Sequence, residues 1–480
     1  MTPKLVFDYF SQINKVPRPS KKEEKIIAYL QNWAKEHGID CVTDETGNVL
    51  MRKPATPGME NKATVVLQSH MDMVCEKTSD CTIDFENDPI ETYVDGEWMR
   101  AKGTTLGADD GIGMALQMAV LTDPAVEHGP LECLFTRDEE TGLTGAFAIK
   151  PGFMSGKYLL NLDSEDEGEI FIGCAGGANT EASLDVTMVE LSKQYFPIRI
   201  SIDKLRGGHS GDDINKHRPN AIKLLSRFLY EASEKYDLKL VDIQGGNLHN
   251  AIPRQAEAVI AVPFADKENV RVDFNVFASE ISEEYHDEES MHVSMESITA
   301  DKCINDEQAQ KIIYALNAVD NGVYEMSIDL AGLVETSSNL ASVHLISKEG
   351  NRASIDIVTS QRSSIGSQRK AMSIAVSSAL RLAGFKTTTA DGYPGWKPNS
   401  ESKLLKVAVD TYKSIFGKEP KVRAIHAGLE CGLFSEKYPG MDMISFGPTL
   451  RGVHSPDERL LIPTVEMVWK HIVAILKEIE

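Results

Sequence analysis

The stretch Val65-Val-Leu-Gln-Ser-His-Met-Asp72 indicates the fold class, because an apolar run leads directly into a histidine and an acid. The same order occurs twice more: Leu131–Phe135 precedes a pair of glutamates, and Tyr158–Leu160 precedes Asp163. Short apolar runs of this kind are typical of buried strands. Open α/β sheets gather their ligands at the carboxyl ends of strands. The pattern therefore predicts an α/β sheet whose strand ends share a polar site.

The residue types at these strand ends are those that bind metal ions. Together with one position far downstream, the candidates are His70, Asp109, Glu139, Glu140, Asp163 and His454. Imidazoles and carboxylates suit divalent cations, and one spare glutamate could carry a proton. The set predicts a two-metal hydrolase. Each piece alone also has an ordinary interpretation: a surface histidine beside Asp72, a solvated acidic turn, or a polar turn with a helix cap.

The glycine-rich segment Gly103–Gly113 could be mistaken for a phosphate-binding loop. Its glycine spacing fits neither of the common phosphate-loop patterns. The adjacent carboxylates of Asp109 and Asp110 would also repel a phosphate. The segment instead predicts a tight turn that presents Asp109 to two cations, just before a helix over Gly111–Val120.

The composition limits the classes of function. The formal charge of −22 and the isoelectric point of about 5.0 argue against a general nucleic-acid-binding surface. No apolar stretch is long enough to cross a bilayer, so we expect no membrane partner and a cytoplasmic enzyme. Seven cysteines without a C-x-x-C pair indicate neither a disulfide framework nor a zinc ribbon. Cys75 is a minor candidate for a softer metal ligand.

The chain is long enough for more than one domain. Strand-like and helical segments alternate up to about residue 185, and the rhythm changes near 187 to a β-α-β-β-α-β order. A similar alternation follows from Asp306 to about Leu382. Glycines and prolines near residues 387–399 then break any regular element. We predict a first catalytic segment at 1–186, an inserted lid domain at 187–388 and a second catalytic segment at 389–480.

Nine segments resemble the aminoacylase/carboxypeptidase G clan of metallopeptidases, and most closely the bacterial aminoacyl-histidine dipeptidases (peptidase D). They are RKPATPGMENK, VVLQSHMDMV, DGEWMRAKGTTLGADDGIGMA, DSEDEGEIFIGCAGG, GGHSG, GGNLHNAIPR, YPGWKPN, HAGLECGLF and GPTLRGVHSPDERL, which extend over essentially the full length. The resemblance implies an α/β di-zinc peptidase domain, with a mixed sheet flanked by helices. It also implies an inserted α+β lid of two ferredoxin-like halves.

The resemblance also implies which residues bind the metal ions. Asp109 would bridge both metals. His70 and Asp163 would complete one site, and Glu140 and His454 would complete the other.

Further roles follow from the same resemblance. Glu139 would be the general base, Asp72 would orient His70, and His209 would reach the reacting carbonyl from the lid. The substrate carboxylate would be held by Asn250, Arg362 and the Gly428 backbone.

The implied reaction is hydrolysis of dipeptides with a free C-terminus, such as β-Ala-His and other Xaa-His or unrelated dipeptides. The attacking group would be a hydroxide that bridges two divalent ions, with Zn²⁺ expected and Mn²⁺ or Co²⁺ as alternatives. Two other functions remain open: an N-acyl amino acid amidohydrolase of the same clan, and a non-catalytic binding protein on this scaffold. A small peptide is the expected partner, and the doubled lid leaves both a monomer and a homodimer open.

Overall fold

The computed structural model describes residues 1–480 and divides the chain into two compact units. Unit 1 contains Met1–Cys174, Trp396–Ala424 and Leu429–Glu480, and unit 2 contains Ala175–Gly395 and Ile425–Gly428. These boundaries differ from our division at 186/187 and 388/389. The inserted unit begins earlier because a long strand from Gly176 to Glu190 belongs to its sheet. The short return at 425–428 has no counterpart in the predicted division.

Unit 1 contains most of the helices and the strands of two sheets. Its helices are α1 Lys4–Ile13, α2 Glu24–Glu36, α3 Ala108–Thr122, α4 Glu139–Gly142, α5 Thr144–Ala148, α10 Lys403–Phe416, α11 Glu430–Lys437 and α12 Ile462–Glu478. Its strands are β1 Asp40–Thr43, β2 Val49–Lys53, β3 Val65–His70, β4 Thr92–Asp95, β5 Trp98–Ala101, β6 Leu131–Thr136, β7 Tyr158–Asn161, β8 Glu169–Cys174, β21 Lys421–Ile425, β22 Asp442–Ser445, β23 Leu450–Arg451 and β24 Arg459–Leu461.

Unit 2 contains the elements that lie between these two groups in the chain. Its helices are α6 Ala221–Lys235, α7 Lys267–Glu284, α8 Asp306–Ala318 and α9 Gly366–Leu382, with a 3₁₀ turn at Phe264–Asp266. Its strands are β9 Gly176–Glu190, β10 Tyr195–Asp203, β11 Gly208–His209, β12 Lys239–Gly246, β13 Ala251–Ile252, β14 Ala256–Pro263, β15 His292–Ser297, β16 Lys302–Ile304, β17 Gly322–Met326, β18 Val334–Ser347, β19 Arg352–Ser363 and β20 Lys386–Thr389.

The main sheet of unit 1 has the order β1-β2-β6-β3-β7-β22-β8-β21. Its centre is parallel: β3 pairs with both β6 and β7, and β7 pairs with β22. Every residue of β3, β6 and β7 is buried, as expected for parallel strands covered on both faces. The α/β fold class is therefore confirmed. A smaller sheet of order β23-β24-β5-β4 lies apart from this path.

Unit 2 is built on a ten-stranded sheet that contains two β-α-β-β-α-β halves. The first half is continuous in the chain, from β10 through α6, β12, β14 and α7 to β15, with the spatial order β15-β10-β14-β12. The second half takes its first strand from β9 and resumes only at β16, after the first half is complete. The first half is therefore inserted into the second, whereas we expected two consecutive halves.

One apolar core serves both halves of unit 2. It includes Ile200 and Leu225 from the first half, and Ile313, Ile355 and Val376 from the second, all nearly inaccessible to solvent. Burying side chains of this size contributes roughly 1.5–3 kcal/mol each, so the two halves stabilise each other. None of the twelve helices combines the length and the apolar character that a membrane span requires.

Candidate metal centre and substrate-binding cluster

Three parallel strands of unit 1 bring their carboxyl ends to one place. β3 ends at His70, β6 leads into α4 with Glu139 and Glu140, and Asp163 follows β7. Since β3 pairs in parallel with both of its neighbours, these ends meet at the same edge. Asp109 joins them from the start of α3, where the backbone is not yet helical.

Asp109 lies between two histidines. Its Oδ1 is 3.0 Å from His70 Nε2, and its Oδ2 is 3.2 Å from His454 Nε2. His70 Nε2 is also 3.3 Å from Asp163 Oδ1, and His454 Nε2 is 2.9 Å from Glu140 Oε2. The structure thus brings together all five residues that we expected to bind metal.

The electrostatics of this cluster favour a cation. Burial disfavours the charged imidazole of His70, yet Asp163, Asp109 and Asp72 raise its pKa well above the usual value. Hydrogen bonds to Asp109 and Glu140 raise the pKa of His454 to about 11. Burial and neighbouring carboxylates also raise the pKa of Asp163. The carboxylates outnumber the histidines, so positive charge in this place is strongly stabilised.

The donor set also matches what a divalent ion needs. One nitrogen of His70 and one carboxylate oxygen each of Asp109 and Glu140 lie within 4.8 Å of one another. Glu140 Oε1 is buried and accepts no hydrogen bond. A buried unpaired carboxylate oxygen is costly unless something positive meets it, so this atom is a natural ligand.

Asp72 ties the imidazole of His70 to the helix that carries the two glutamates. Its Oδ1 lies 3.3 Å from His70 Nδ1 and accepts a 3.0 Å hydrogen bond from the Glu139 N–H. Its Oδ2 accepts from Ser20 Oγ at 2.8 Å and from the Glu140 N–H at 3.3 Å. A carboxylate on the far nitrogen fixes which imidazole nitrogen is free to bind a metal. Asp72 is therefore in contact with the nitrogen of His70 through which we predicted that it orients the ring.

Glu430, at the start of α11, is buried below this edge of the sheet. Its Oε2 accepts hydrogen bonds from Gln68 Nε2 at 2.6 Å and Thr136 Oγ1 at 2.7 Å, and burial raises its pKa to about 7. Cys75, our minor candidate ligand, lies outside the cluster. Its thiol faces the Met73 carbonyl, and burial raises its pKa to about 11.

The four remaining predicted residues all lie in unit 2. His209 is on β11, which pairs with β13, so that His209 is opposite Ala251 and the Ser210 N–H donates to the Asn250 carbonyl at 2.8 Å. Asn339 Nδ2 of β18 donates to the Ala251 carbonyl at 2.8 Å, which ties this small sheet to the large one.

Arg362 on β19 is a buried cation, with about 5% of its surface exposed. Its Nη1 donates to the Tyr393 hydroxyl at 2.9 Å. The same tyrosine ring packs against Gly428, where a Cβ would lie only 2.8 Å from the ring. Tyr393 therefore links two of the predicted substrate residues.

Burial and Arg362 both disfavour the charged form of two nearby histidines. Burial, and then the Arg362 guanidinium, lower the pKa of His209. The same two causes lower the pKa of His426 to about 3. His426 is buried, and its Nε2 is 2.7 Å from Ser337 Oγ. Ser337 on β18 is paired with Arg362 on β19. Burial and the positive charge of Arg362 together favour the neutral form of both histidines.

Sequence reasoning missed Tyr393 and His426. Both occur in segments that carried the resemblance, YPGWKPN and HAGLECGLF. Tyr393 lies in a loop. His426 directly follows β21, but Lys421–Ile425 alternates charged and apolar residues and is not the continuous apolar run that marked the other candidates.

A search of protein families matches residues 66–478 to the family described as peptidase family M20/M25/M40. That match spans most of the chain. The protein belongs to this family.

Similar proteins agree with this assignment. The cytosol non-specific dipeptidase of Escherichia coli strain K12 is 43% identical, over 100% of this chain and 98% of its own. The crystal structure of aminoacylhistidine dipeptidase from Vibrio alginolyticus is 44% identical with a TM-score of 0.93, covering 100% of this chain and 97% of its own. The aminopeptidase PepT of Bacillus cereus has a TM-score of 0.61 at 17% identity, covering 99% of this chain and 98% of its own, and so shares the fold. The family recognised from the sequence is confirmed.

Proposed function

We propose that this M20 peptidase hydrolyses dipeptides with a free C-terminal carboxylate, using two divalent metal ions. The observation that carries the proposal is the position of Asp109, with one carboxylate oxygen at His70 and the other at His454. The names of the Escherichia coli and Vibrio alginolyticus relatives support the substrate class. The first of those names also supports a cytosolic location.

The metal ions would be held in unit 1. Asp109 would be shared, His70 and Asp163 would complete one position, and Glu140 and His454 would complete the other. Divalent ions bound there would supply Lewis-acid chemistry, lowering the pKa of water towards about 7 and polarising the carbonyl of the scissile bond. Nitrogen and carboxylate ligands without a thiolate suit Zn²⁺, and also Mn²⁺ or Co²⁺.

The proton transfers fall to Glu139. Its carboxylate takes a proton from the attacking water as the water oxygen bonds to the carbonyl carbon. It then gives that proton to the leaving nitrogen as the C–N bond breaks. General acid–base help of this kind contributes about 10²–10⁴-fold. Asp72 holds His70 in the orientation that leaves its Nε2 free.

The substrate would be bound by residues of unit 2. The carboxylate would pair with the Arg362 guanidinium, which offers two parallel N–H donors to a planar anion. Asn250 and the Gly428 backbone would add further hydrogen bonds. His209 would stabilise the oxyanion, and its lowered pKa leaves it a neutral donor. A buried guanidinium favours a free carboxylate, because a longer peptide would place a neutral amide there.

The first test is hydrolysis of a dipeptide panel, including β-Ala-His and Gly-His, by metal-stripped protein with and without added Zn²⁺, Mn²⁺ or Co²⁺. We expect cleavage of free dipeptides to return with metal. N-acetylated and C-terminally amidated forms of the same dipeptides serve as matched substrates.

Two outcomes would contradict the proposal. Release of acetate from N-acetyl amino acids, without dipeptide cleavage, would identify an amidohydrolase of the same site chemistry. Full activity in the stripped protein would remove the metal requirement. Whether the protein is a monomer or a homodimer is decided separately, by light scattering.

A further inference from the structure

The glycine-rich loop before α3 directs its N–H groups at one buried carboxylate. Leu106 and Gly107 donate to Glu458 Oε2 at 2.7 and 3.0 Å, and Ala108 and Asp109 donate to Oε1 at 2.8 and 3.3 Å. Glu458 is only about 2% exposed. Successive N–H groups that converge in this way form an anion-binding nest. Here the protein fills the nest with its own side chain, in the place where a phosphate loop would hold phosphate.

Glu458 stands on the same loop as His454. This loop joins β23 to β24, and His454 itself has a left-handed backbone (φ 60°), a conformation that non-glycine residues seldom adopt. Asp109 is the last residue of the nest. One side chain therefore fixes the backbone of two loops, each of which carries a proposed metal ligand.

Arg18 binds the same loop through a backbone carbonyl. Its Nη2 donates to the Gly107 carbonyl at 2.5 Å, and its Nη1 donates to the Asp72 carbonyl at 3.0 Å. The guanidinium is about 1% exposed, and a Cβ at position 107 would lie 2.5 Å from Nη2. Only glycine leaves room for this contact. Burial lowers the pKa of Arg18, and the negative charges of Glu458 and Asp72 oppose that shift most strongly.

We infer that Glu458 is a positioning residue for the metal position that Asp109 shares with Glu140 and His454. The inference rests on the proposed two-metal function. Asp109 and His454 stand on loops that the Glu458 carboxylate joins, whereas His70 and Asp163 follow strands of the central sheet. Loss of Glu458 therefore weakens one metal position more than the other.

The test is a titration of metal-free protein with Co²⁺, followed by its visible absorption. Glu458→Gln keeps the size of the side chain but turns an NH₂ group towards two N–H donors. We expect wild type to take up two equivalents. In the variant the first equivalent still binds, and the second binds about 10–100-fold more weakly, the usual effect of losing a residue that supports a ligand. Asp457→Asn, on the same loop but exposed, makes the same change of charge and is the control.

Three results would overturn the inference: two equivalents bound by Glu458→Gln as in wild type, equal weakening of both, or the same change in Asp457→Asn. If Glu458→Gln does not fold, Glu458→Asp takes its place. It keeps the charge but shortens the reach, and an unchanged second equivalent there would count equally against the inference. Fewer than two equivalents in wild type would instead contradict the proposed function, and the inference with it.

Discussion

In unit 1, His70 and His454 each face carboxylates, whereas in unit 2 His209 and His426 lie near the guanidinium of Arg362. The pKa values move in opposite directions: the first pair is raised and the second pair is lowered. The carboxylates of unit 1 thus favour positive charge near its two histidines, whereas the surroundings in unit 2 favour neutral imidazoles. The surroundings of the proposed cation site in unit 1 and of the proposed anion site in unit 2 therefore have opposite charge.

Asp109→Asn is expected to have the largest effect, because it removes the charge between His70 and His454. We expect fewer than two bound metal ions per chain by plasma mass spectrometry. Turnover should fall by at least ~10³-fold, because several kcal/mol of Lewis-acid stabilisation are lost. Asp80→Asn, an exposed change in the same unit, is the control. Normal metal content in Asp109→Asn would show that the carboxylate of Asp109 is not needed for metal binding in unit 1.

Glu139→Gln separates proton transfer from metal binding within unit 1. The amide cannot accept the proton of the attacking water, so we expect kcat to fall by roughly 10²–10⁴-fold. Metal content should stay at the wild-type value, since Glu139 is not among the proposed ligands. Glu436→Gln on the exposed side of α11 is the matched control. A variant that turns over at the wild-type rate would assign the base to another residue.

Arg362→Met tests the anion half of the comparison. Charge-assisted hydrogen bonds contribute about 1.5–3 kcal/mol, so kcat/KM for free dipeptides should fall by roughly 10–150-fold. The preference over C-terminally amidated dipeptides should disappear with it, and the pKa of His426 should rise in NMR titrations. Arg352→Met changes an exposed arginine at the start of the same strand. Equal losses in both variants would show that general charge, not the clamp, is responsible.

His471→Gln is expected to change the free energy of unfolding least at neutral pH, because this histidine lies away from both proposed sites. His471 lies in unit 1 without carboxylate partners, its Nε2 is 2.8 Å from the Ala408 carbonyl oxygen, and burial lowers its pKa to about 4. Since the tautomer that meets a carbonyl is the N–H form, His471 is the donor. Below about pH 6.5 the His471 imidazole is protonated in the unfolded chain but not in the folded one. The free energy of unfolding therefore decreases as the pH falls to about 4.

The loss attributable to His471 reaches up to about 3 kcal/mol at pH 4. Glutamine can keep the hydrogen bond but does not titrate, so denaturant unfolding of metal-free His471→Gln should depend less steeply on pH between 6.5 and 4. His37→Gln, on an exposed histidine, should follow wild type. If the free energy of unfolding had the same pH dependence in wild type and His471→Gln, burial would not lower the pKa of this imidazole.

The sequence predicts the strand-end ligands because each depends on a local pattern, an apolar run followed by a polar residue. His70, Glu140 and Asp163 are found in this way, and pairing of parallel strands then brings them together. Glu458 and Arg18 do not follow an apolar run, so this pattern does not identify them. Their positions depend on hydrogen bonds to backbone groups that are distant in the chain, such as Arg18 to Gly107 and Glu458 to Leu106.

The boundaries of the inserted unit differ from the predicted ones for a similar reason. β9 follows β8 almost without a break, and its local pattern is that of any strand. Its place in the sheet is decided by β19, whose residue Arg352 pairs with Thr187. Side-chain period alone cannot tell which distant strand completes a sheet, so pairing between segments this far apart is not encoded in any short window.

That long-range pairing has a consequence for the order in which the protein can assemble on the ribosome. β9 is synthesised early but can pair with β19 only after β19 has been made. The first half of unit 2, which lies between them in the chain, is complete before the second half can form. Distant pairing of this kind is slow. The five proposed ligands likewise span His70 to His454, so a nascent chain acquires its full metal-binding set only after nearly all of it has been synthesised. Chains truncated before residue 454 would therefore lack part of the proposed metal-binding set.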